Sequence, residues 1–365
     1  MNNGLTVKKY YSFLDGLRAI AIFWILLHHA RTFFKWGALL QANALNIPFA
    51  HALDRVLKVG YLGVDIFFVI SGFLITGLLA ENLEQDIPLK RFYLRRALKI
   101  VPQYLLAVFA GIVFTALMGP KELFTFPSVI SPLIFYQNYI PAVPILGHTW
   151  VVAVEAHFYL YYPLVIIGVC AAQKSAASRR ALLTKGLILL IIAGNALRYF
   201  FFRHPGYQLV QMTHVRFDAL LFGGLLKMSE PYLYGAAHNR RWVSALSFVA
   251  GTALFIYVLK GFNRYVWFWY TLIYISSGIL IVSALTGFRP LNDVLQNPFL
   301  RWVGQNSYGI YLWHYILLYA LVGEPAECRR IEIIAAYIVC SLMLGMLTTV
   351  TIERYFLNIR NKFVP

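Results

Sequence analysis

An arginine and a histidine share one face of the first long apolar segment. In SFLDGLRAIAIFWILLHHARTFF, residues 12–34, Arg18 and His29 are eleven positions apart. On a helix this spacing returns to within about 20° of the same face after a rise of roughly 16 Å, whereas His28 faces elsewhere. A guanidinium binds anions and a neutral imidazole accepts protons. The alternatives are an arginine that reaches the membrane surface and a histidine that makes a polar contact between helices.

The second apolar segment, GYLGVDIFFVISGFLITGLL, carries a carboxylate and a hydroxyl. Asp65 and Gly72 share a helical face, and Ser71 is next to Gly72. A carboxylate at this depth could pair with an arginine or orient a histidine. Helix packing explains the glycines and Ser71 almost as well, because small residues let another helix approach closely.

A group of cations precedes the third apolar segment, in LKRFYLRRALKIVPQYL. Arg91 and Arg95 are four positions apart, as are Arg95 and Lys99, and Arg96 is adjacent. Residues at this spacing form a stripe along a helix. Arginine forks bind phosphate oxygens, so the stripe favours a phosphate-bearing ligand. Attraction to anionic lipids is the alternative explanation.

Two later segments add polar residues at membrane depth. GHTWVVAVEAHFYLYYP places Glu155 about a third of the way into a span, with His148 on the same face. A buried glutamate that pairs with an arginine for folding is the alternative to a functional role. GQNSYGIYLWHYILLY contains Tyr308 and His314. Its tyrosine stripe is more typical of packing or of the membrane interface, so these residues are supporting candidates only.

Membrane-spanning helices are the elements that must position these residues. The chain has 365 residues, of which 60% are hydrophobic and 13% charged, about half the charge of a soluble protein. Recurrent apolar segments predict an all-α, polytopic bundle of about ten transmembrane helices in a single domain, residues 1–365. The predicted spans are 12–34, 60–80, 97–118, 149–171, 183–202, 213–229, 242–260, 266–286, 303–322 and 332–352. The shorter segment 127–141 is expected to be interfacial or re-entrant.

The distribution of charge predicts the orientation and excludes some partners. The net charge is +17, but the basic residues lie in short loops and form no basic domain that would bind nucleic acid. Their excess on the side of the two termini predicts cytoplasmic termini. The first span lacks a signal-peptide cleavage site and should stay attached. Three scattered cysteines give neither a disulfide framework nor a metal-ligand spacing, and we expect no metal or cofactor.

Six ordered motifs between residues 11 and 356 resemble the membrane-bound acyltransferase 3 family. They are FLDGLRAIAIFWILLHH, GYLGVDIFFVISGFLIT, RFYLRRALKIVPQY, HTWVVAVEAHFYLYYP, SYGIYLWH and IERYF. The resemblance implies a ten-helix enzyme of the bacterial inner membrane. Such an enzyme transfers an acyl group, usually acetyl, from cytoplasmic acyl-CoA as co-substrate to a hydroxyl of a glycan or glycolipid, such as O-antigen or exopolysaccharide.

The resemblance also implies roles for particular residues. Catalysis would fall to His29 and Glu155, and acyl-CoA binding to Arg18, Arg91, Arg95 and Arg96. Val151 departs from the family pattern, which commonly has serine after the tryptophan. Some members carry a C-terminal hydrolase-like domain, which we do not expect in this chain, so we expect its step to be unnecessary or supplied by a partner. The acceptor, the acyl length and the oligomeric state are not predicted.

The residues leave the mechanism and the function class open. His29 could act as a general base or form an acyl-histidine, and Glu155 could orient His29 or help to bind the acceptor. Intramembrane charges would also suit a proton-coupled exporter of lipid-linked sugars. No paired half-repeats support that alternative. A catalytically idle relative that assists polysaccharide assembly is a third hypothesis.

Overall fold

The computed structural model describes residues 10–34, 48–83, 89–203, 209–239, 242–263, 266–322 and 331–363. Within these residues the chain is helical and contains no strand, as the sequence predicts. The helices are α1 (Ser12–Phe33), α2 (Pro48–Lys58), α3 (Gly63–Leu79), α4 (Leu89–Met118), α5 (Phe126–Leu133), α6 (Trp150–Ala172), α7 (Ala176–Phe202), α8 (Phe217–Asn239), α9 (Trp242–Gly261), α10 (Phe268–Leu285), α11 (Arg289–Leu295), α12 (Pro298–Gln305), α13 (Ser307–Val322), α14 (Ile331–Thr348) and α15 (Arg354–Phe363).

The described residues include eight helical segments long and apolar enough to cross a membrane. These are Ser12–Phe33, Gly60–Leu79, Leu89–Met118, Pro144–Ala172, Ala176–Phe202, Trp242–Gly261, Phe268–Leu285 and Glu332–Lys362. The shorter apolar helix α13 and the helix α8 correspond to the other two predicted spans. The protein is therefore a multi-pass membrane protein, and ten crossings remain the prediction.

Helix α4 begins earlier than the apolar pattern indicates. The predicted span starts at residue 97, but the helix starts at Leu89 and includes the whole cation group. Arginine and lysine are good helix formers, so charge does not end the helix where the apolar run ends. The cations therefore lie on rigid helical turns.

Glycines bring α3 and α8 into close contact. A Cβ on Gly72 would collide with the main chain of Leu220, and a Cβ on Gly223 would collide with the carbonyl of Val69. Reciprocal glycines of this kind let two backbones approach as in other membrane helix pairs. This contact fixes the rotation of α3 and thus the direction of Ser71.

The segment 127–141 does not form a spanning helix. Helix α5 has only eight residues, begins with a capping box at Thr125 and Ser128, and is followed by irregular backbone with Phe135 at φ 57°. The Tyr104 hydroxyl donates to the carbonyl of Pro132 over 2.7 Å. Irregular backbone at membrane depth needs such protein partners, and this arrangement agrees with an interfacial or re-entrant segment.

The end of the bundle where α1 begins and α15 lies is called the terminal face below. Two short helices, α11 and α12, cover this end of α1, and Gly304 of α12 touches the main chain of Asp15. Helix α14 ends in a π-helical turn over Thr349–Glu353, after which α15 packs against α4. A π turn inserts one residue into the helix and often marks a functional site.

Candidate active site

A cavity that is partly open to solvent lies in the half of the bundle nearer the terminal face. Its walls come from α1, α3, α4, α6, α12, α13 and the π turn. The lining side chains that bear charge or a hydrogen-bonding group are Arg18, Ser71, Arg96, Lys99, Glu155, Tyr159, Gln305, Ser307, Tyr308, Tyr311 and Glu353.

Three cations line the cavity together. Arg18 comes from the second turn of α1, and Arg96 and Lys99 come from one face of α4. Electrostatic contacts join Lys99 to Arg18, Arg96 and the carboxylate of Glu353. The lining also contains the carboxylates of Glu155 and Glu353, but the three cations outnumber them, so the arrangement favours an anionic occupant.

The other two arginines of the predicted binding group lie elsewhere on α4. Arg91 is exposed, and neither it nor Arg95 belongs to the cavity lining. The cavity therefore meets the face of α4 that carries residues 96, 99 and 100. The stripe that begins at Arg91 contributes only Lys99.

Glu155 is held inside the cavity by hydroxyl groups. The Ser71 hydroxyl donates to Oε1 of Glu155 over 2.5 Å, and the Tyr159 hydroxyl is a second hydrogen-bonding neighbour. Arg18 and Arg96 interact with the carboxylate electrostatically, and Arg96 lies over the ring of Tyr159 at 5.6 Å. These contacts tie Glu155 to the cations of the cavity.

Val151, Tyr308 and Tyr311 line the cavity on its α6 and α13 walls. Val151 is 6% exposed and occupies the position where the resembling family commonly has serine. The Tyr308 hydroxyl donates to the carbonyl of Ile100 over 2.9 Å, and the Tyr311 hydroxyl donates to the carbonyl of His148 over 2.5 Å. Both tyrosines are thus fixed by main-chain acceptors.

His29 lies outside the cavity lining, near the opposite end of α1. It is four residues from the end of the helix at Phe33, whereas Arg18 is six residues from its start. Its ring centroid is 5.3 Å from that of His314 and 4.8 Å from that of Tyr315. The structure therefore places Arg18 and Glu155 at the cavity and His29 in a second polar group.

We call His29, His148 and His314 the histidine cluster. The ring of His148 is 5.1 Å from that of His314 and 5.4 Å from the ring of Tyr311, which lines the cavity. The ring of Tyr311 is in turn 5.4 Å from that of His314. One layer of side chains thus separates the cavity from His29. Among the described residues no group of three or more His, Cys, Asp or Glu side chains is arranged to hold a metal ion.

Asp65 takes part in a buried ion pair away from the cavity. Its Oδ1 is 2.9 Å from Nη2 of Arg216, and both side chains are at most 4% exposed. The Arg216 guanidinium lies 4.8 Å from the ring of Tyr270, and a second buried pair joins Arg198 to Asp218. Of the two roles that the sequence left open, the pairing with an arginine is the one that the structure contains.

Three polar residues of the cavity, Tyr159, Glu353 and Gln305, were not predicted from the sequence. Tyr159 follows Glu155 by one helical turn, a signal that the spacing does contain. Glu353 belongs to the quoted motif IERYF, but its entry into the cavity depends on the π turn. Gln305 ends the short helix α12, whose docking on α1 has no local sequence signal.

Comparison with known proteins gives a consistent set of similarities. A family model described as an acyltransferase domain matches residues 11–323. A peptidoglycan O-acetyltransferase, OatA of Listeria monocytogenes, is 26% identical over 96% of this chain and 57% of its own length. A putative peptidoglycan O-acetyltransferase, YrhL of Bacillus subtilis, is 28% identical over 87% of this chain and 50% of its own.

A putative O-acetyltransferase of Staphylococcus aureus is 26% identical over 85% of this chain and 51% of its own length. The chain thus spans about half the length of these curated relatives. No solved structure matches.

Proposed function

We propose that this chain, which belongs to the acyltransferase domain family, is a membrane-bound O-acyltransferase that moves an acyl group, most simply acetyl, from cytoplasmic acyl-CoA to a hydroxyl of an exported glycan. The observation that carries the proposal is the cavity that holds three cations, Arg18, Arg96 and Lys99, and that is separated from His29 by one layer of side chains. The names of the relatives add peptidoglycan to O-antigen and exopolysaccharide as candidate acceptors.

The cations of the cavity support a nucleotide donor. Coenzyme A carries a pyrophosphate and a ribose phosphate, and arginine forks form charge-assisted hydrogen bonds with phosphate oxygens. Arg18 and Arg96 would supply such forks, and Lys99 would supply a point charge. The terminal face would then be the cytoplasmic one, in agreement with the orientation predicted from the loop charges.

The reaction needs a base for the acceptor hydroxyl. In the proposed step, the hydroxyl proton passes to a ring nitrogen of His29, the hydroxyl oxygen bonds to the acyl carbon, and the carbon–sulfur bond breaks. The proton on His29 then goes to the departing thiolate of coenzyme A. An imidazole can both accept a proton and return it in this way.

The acyl group must pass the layer that contains Tyr311. This side chain lines the cavity, and its hydroxyl is bonded to the carbonyl of His148. The thioester would reach His29 when Tyr311 rotates away from this bond.

Glu155 would act within the donor cavity. Its contacts with Ser71 and Tyr159 hold the carboxylate beside Arg18 and Arg96. We assign it to fixing these two arginines for the donor. A carboxylate that pairs with arginine keeps the guanidinium in one orientation and lowers the entropy lost when the phosphate binds.

The test follows label from radiolabelled acetyl-CoA into a panel of glycans, in membranes that contain wild-type protein, His29→Ala or His28→Asn. His28 is the matched control, because it neighbours His29 but its Nδ1 is 3.0 Å from the carbonyl of Leu57, a bond that asparagine can keep. We expect transfer in the wild type and in His28→Asn, and its loss in His29→Ala.

Two outcomes contradict the proposal. Substantial transfer by His29→Ala removes this residue from the chemistry. Absence of both acetyl-CoA binding and transfer in the wild type favours the exporter that the intramembrane charges also suit.

A further inference from the structure

The ring of His314 has one nitrogen whose protonation is fixed. His314 is fully buried, and its Nδ1 lies 2.6 Å from the carbonyl oxygen of Tyr311. A carbonyl can only accept a hydrogen bond, so Nδ1 carries the proton in the neutral ring. The lone pair is then on Nε2, which is buried and has no hydrogen-bond partner in the structure.

His148 repeats this arrangement with the nitrogens exchanged. Its Nε2 lies 3.1 Å from the carbonyl oxygen of Leu312 and therefore carries the proton, while Nδ1 is buried and has no partner. The histidine cluster thus contains two unsatisfied acceptor nitrogens. Buried polar groups without a partner are rare because their desolvation is not compensated. The unsatisfied nitrogens call for a donor nearby.

The ring of His29 is placed to supply that donor to His314. The two ring centroids are 5.3 Å apart and the planes are inclined by 41°. The described residues make no hydrogen bond to Nε2 of His314, but this separation permits one, because two ring nitrogens turned toward each other would be about 3 Å apart, a hydrogen-bond distance. His28 is a poorer candidate for the donor, because its Nδ1 already contacts the carbonyl of Leu57.

A catalytic base usually has a third group that orients it. In hydrolytic triads a carboxylate accepts from one nitrogen of the histidine and leaves the other nitrogen free to take a proton. Glu155 is held by Ser71 in the cavity. The electrostatic neighbours of His29 are His28, His148 and His314, with no carboxylate among them.

We propose that His314 is a positioning residue for His29: when the ring of His29 turns toward it, Nε2 of His314 accepts a hydrogen bond from one nitrogen of His29. The other nitrogen of His29 is then free to take the proton of the acceptor hydroxyl. This inference rests on the proposed function. The hydroxyl proton moves to the free nitrogen, the new ester bond forms as the carbon–sulfur bond breaks, and the same proton then passes to the thiolate. His314 stays neutral and stabilises the intervening imidazolium.

Two substitutions of His314 separate positioning from packing. His314→Phe keeps a ring of similar size but has no acceptor, whereas His314→Gln places an amide oxygen near the position of Nε2. His157→Phe is the matched control, because His157 is also a histidine of the bundle that contacts a hydroxyl, that of Thr213 at 2.7 Å, and it lies outside the histidine cluster. Each protein is assayed in membranes for kcat and for the KM of acetyl-CoA.

We expect His314→Phe to lower kcat by about 100-fold, the lower end of general-base contributions, while the KM of acetyl-CoA changes by less than about twofold. His314→Gln should recover at least about tenfold of that loss, and His157→Phe should match the wild type. A wild-type kcat in His314→Phe overturns the proposal. Equal losses in His314→Phe and His314→Gln also overturn it, because a purely structural role predicts them.

A second measurement needs no glycan acceptor, so it tests the positioning role of His314 separately from the proposed function. Diethyl pyrocarbonate modifies the unprotonated nitrogen of histidine, and site-resolved mass spectrometry reports the rate at His29. A hydrogen-bond acceptor at one nitrogen of His29 makes its other nitrogen more nucleophilic. We therefore expect slower modification of His29 in His314→Phe and a near-normal rate in His314→Gln. An unchanged rate in His314→Phe refutes positioning. The wild type could show no acyl transfer while the modification rate of His29 still differs as expected between wild type and His314→Phe. In that case the proposed function fails and the hydrogen bond stands.

Discussion

The two arginines Arg91 and Arg96 permit a sharp test of donor binding within one helix. Both belong to the cation group of α4, but only Arg96 lines the cavity, whereas Arg91 is exposed. We expect Arg96→Gln to weaken acetyl-CoA binding strongly and Arg91→Gln to weaken it little. The pair is matched in residue type, helix and charge removed.

The magnitudes follow from the two environments. A hydrogen bond to a charged group contributes about 1.5–3 kcal/mol, so loss of the Arg96 contact should raise the Kd of acetyl-CoA by about 10- to 150-fold. An exposed charge contributes at most about 1 kcal/mol, or about fivefold for Arg91. Salt at 1 M reduces the Debye length to about 3 Å and should remove the Arg91 effect while most of the Arg96 effect remains.

The assay is equilibrium binding of radiolabelled acetyl-CoA to membrane vesicles, with unlabelled coenzyme A as competitor, so no acceptor is needed. Binding to vesicles without the protein gives the background. Equal effects of the two substitutions, at low or high salt, would refute the assignment of the donor phosphates to the cavity. The same result would restore anionic-lipid attraction as the explanation of the whole group.

Two further predictions concern the stability of the bundle, measured as thermal unfolding in detergent. Gly72→Ala should destabilise the protein by about 1–3 kcal/mol, because the added carbon meets the main chain of α8. Gly168→Ala is the control, because its added carbon meets no other helix or side chain within 4 Å. Equal stability of the two variants contradicts the packing argument. Asp65→Asn should cost about 3–5 kcal/mol, since it leaves the buried Arg216 uncompensated. Arg31→Gln, which breaks a part-exposed pair, should cost less than about 1 kcal/mol, and a similar cost at both sites would contradict the role of burial.

The sequence predicts the helices well because their signal is local. The predicted span 12–34 and helix α1 differ by one residue at one end, and the span 242–260 and helix α9 likewise differ by one. Apolar length alone determines these bounds in a membrane protein. The boundary at α4 differs because a charged turn can stay helical outside the apolar region.

The site is less predictable because it depends on how helices are rotated against each other. Spacing identifies residues on a common face, as for Arg91 and Arg95, but it does not tell which face meets a cavity. Arg18 and His29 share a helix, yet the cavity is lined by Arg18 and does not reach His29. The entry of Glu353 depends on one inserted residue in a π turn, which no periodic pattern contains.

The buried pair of Asp65 and Arg216 has a consequence for biogenesis. About 150 residues separate the two in the chain, and bacterial and eukaryotic ribosomes add roughly 5–20 residues per second. The span that contains Asp65 is therefore made roughly 8–30 s before its partner exists. During that interval the carboxylate must be tolerated by a segment whose mean hydropathy of 2.2 is high enough to favour insertion. When Arg216 and the following helix α8 insert, Arg216 pairs with the carboxylate of Asp65 and the glycines of α3 and α8 come into contact. The nascent protein therefore has a late assembly step.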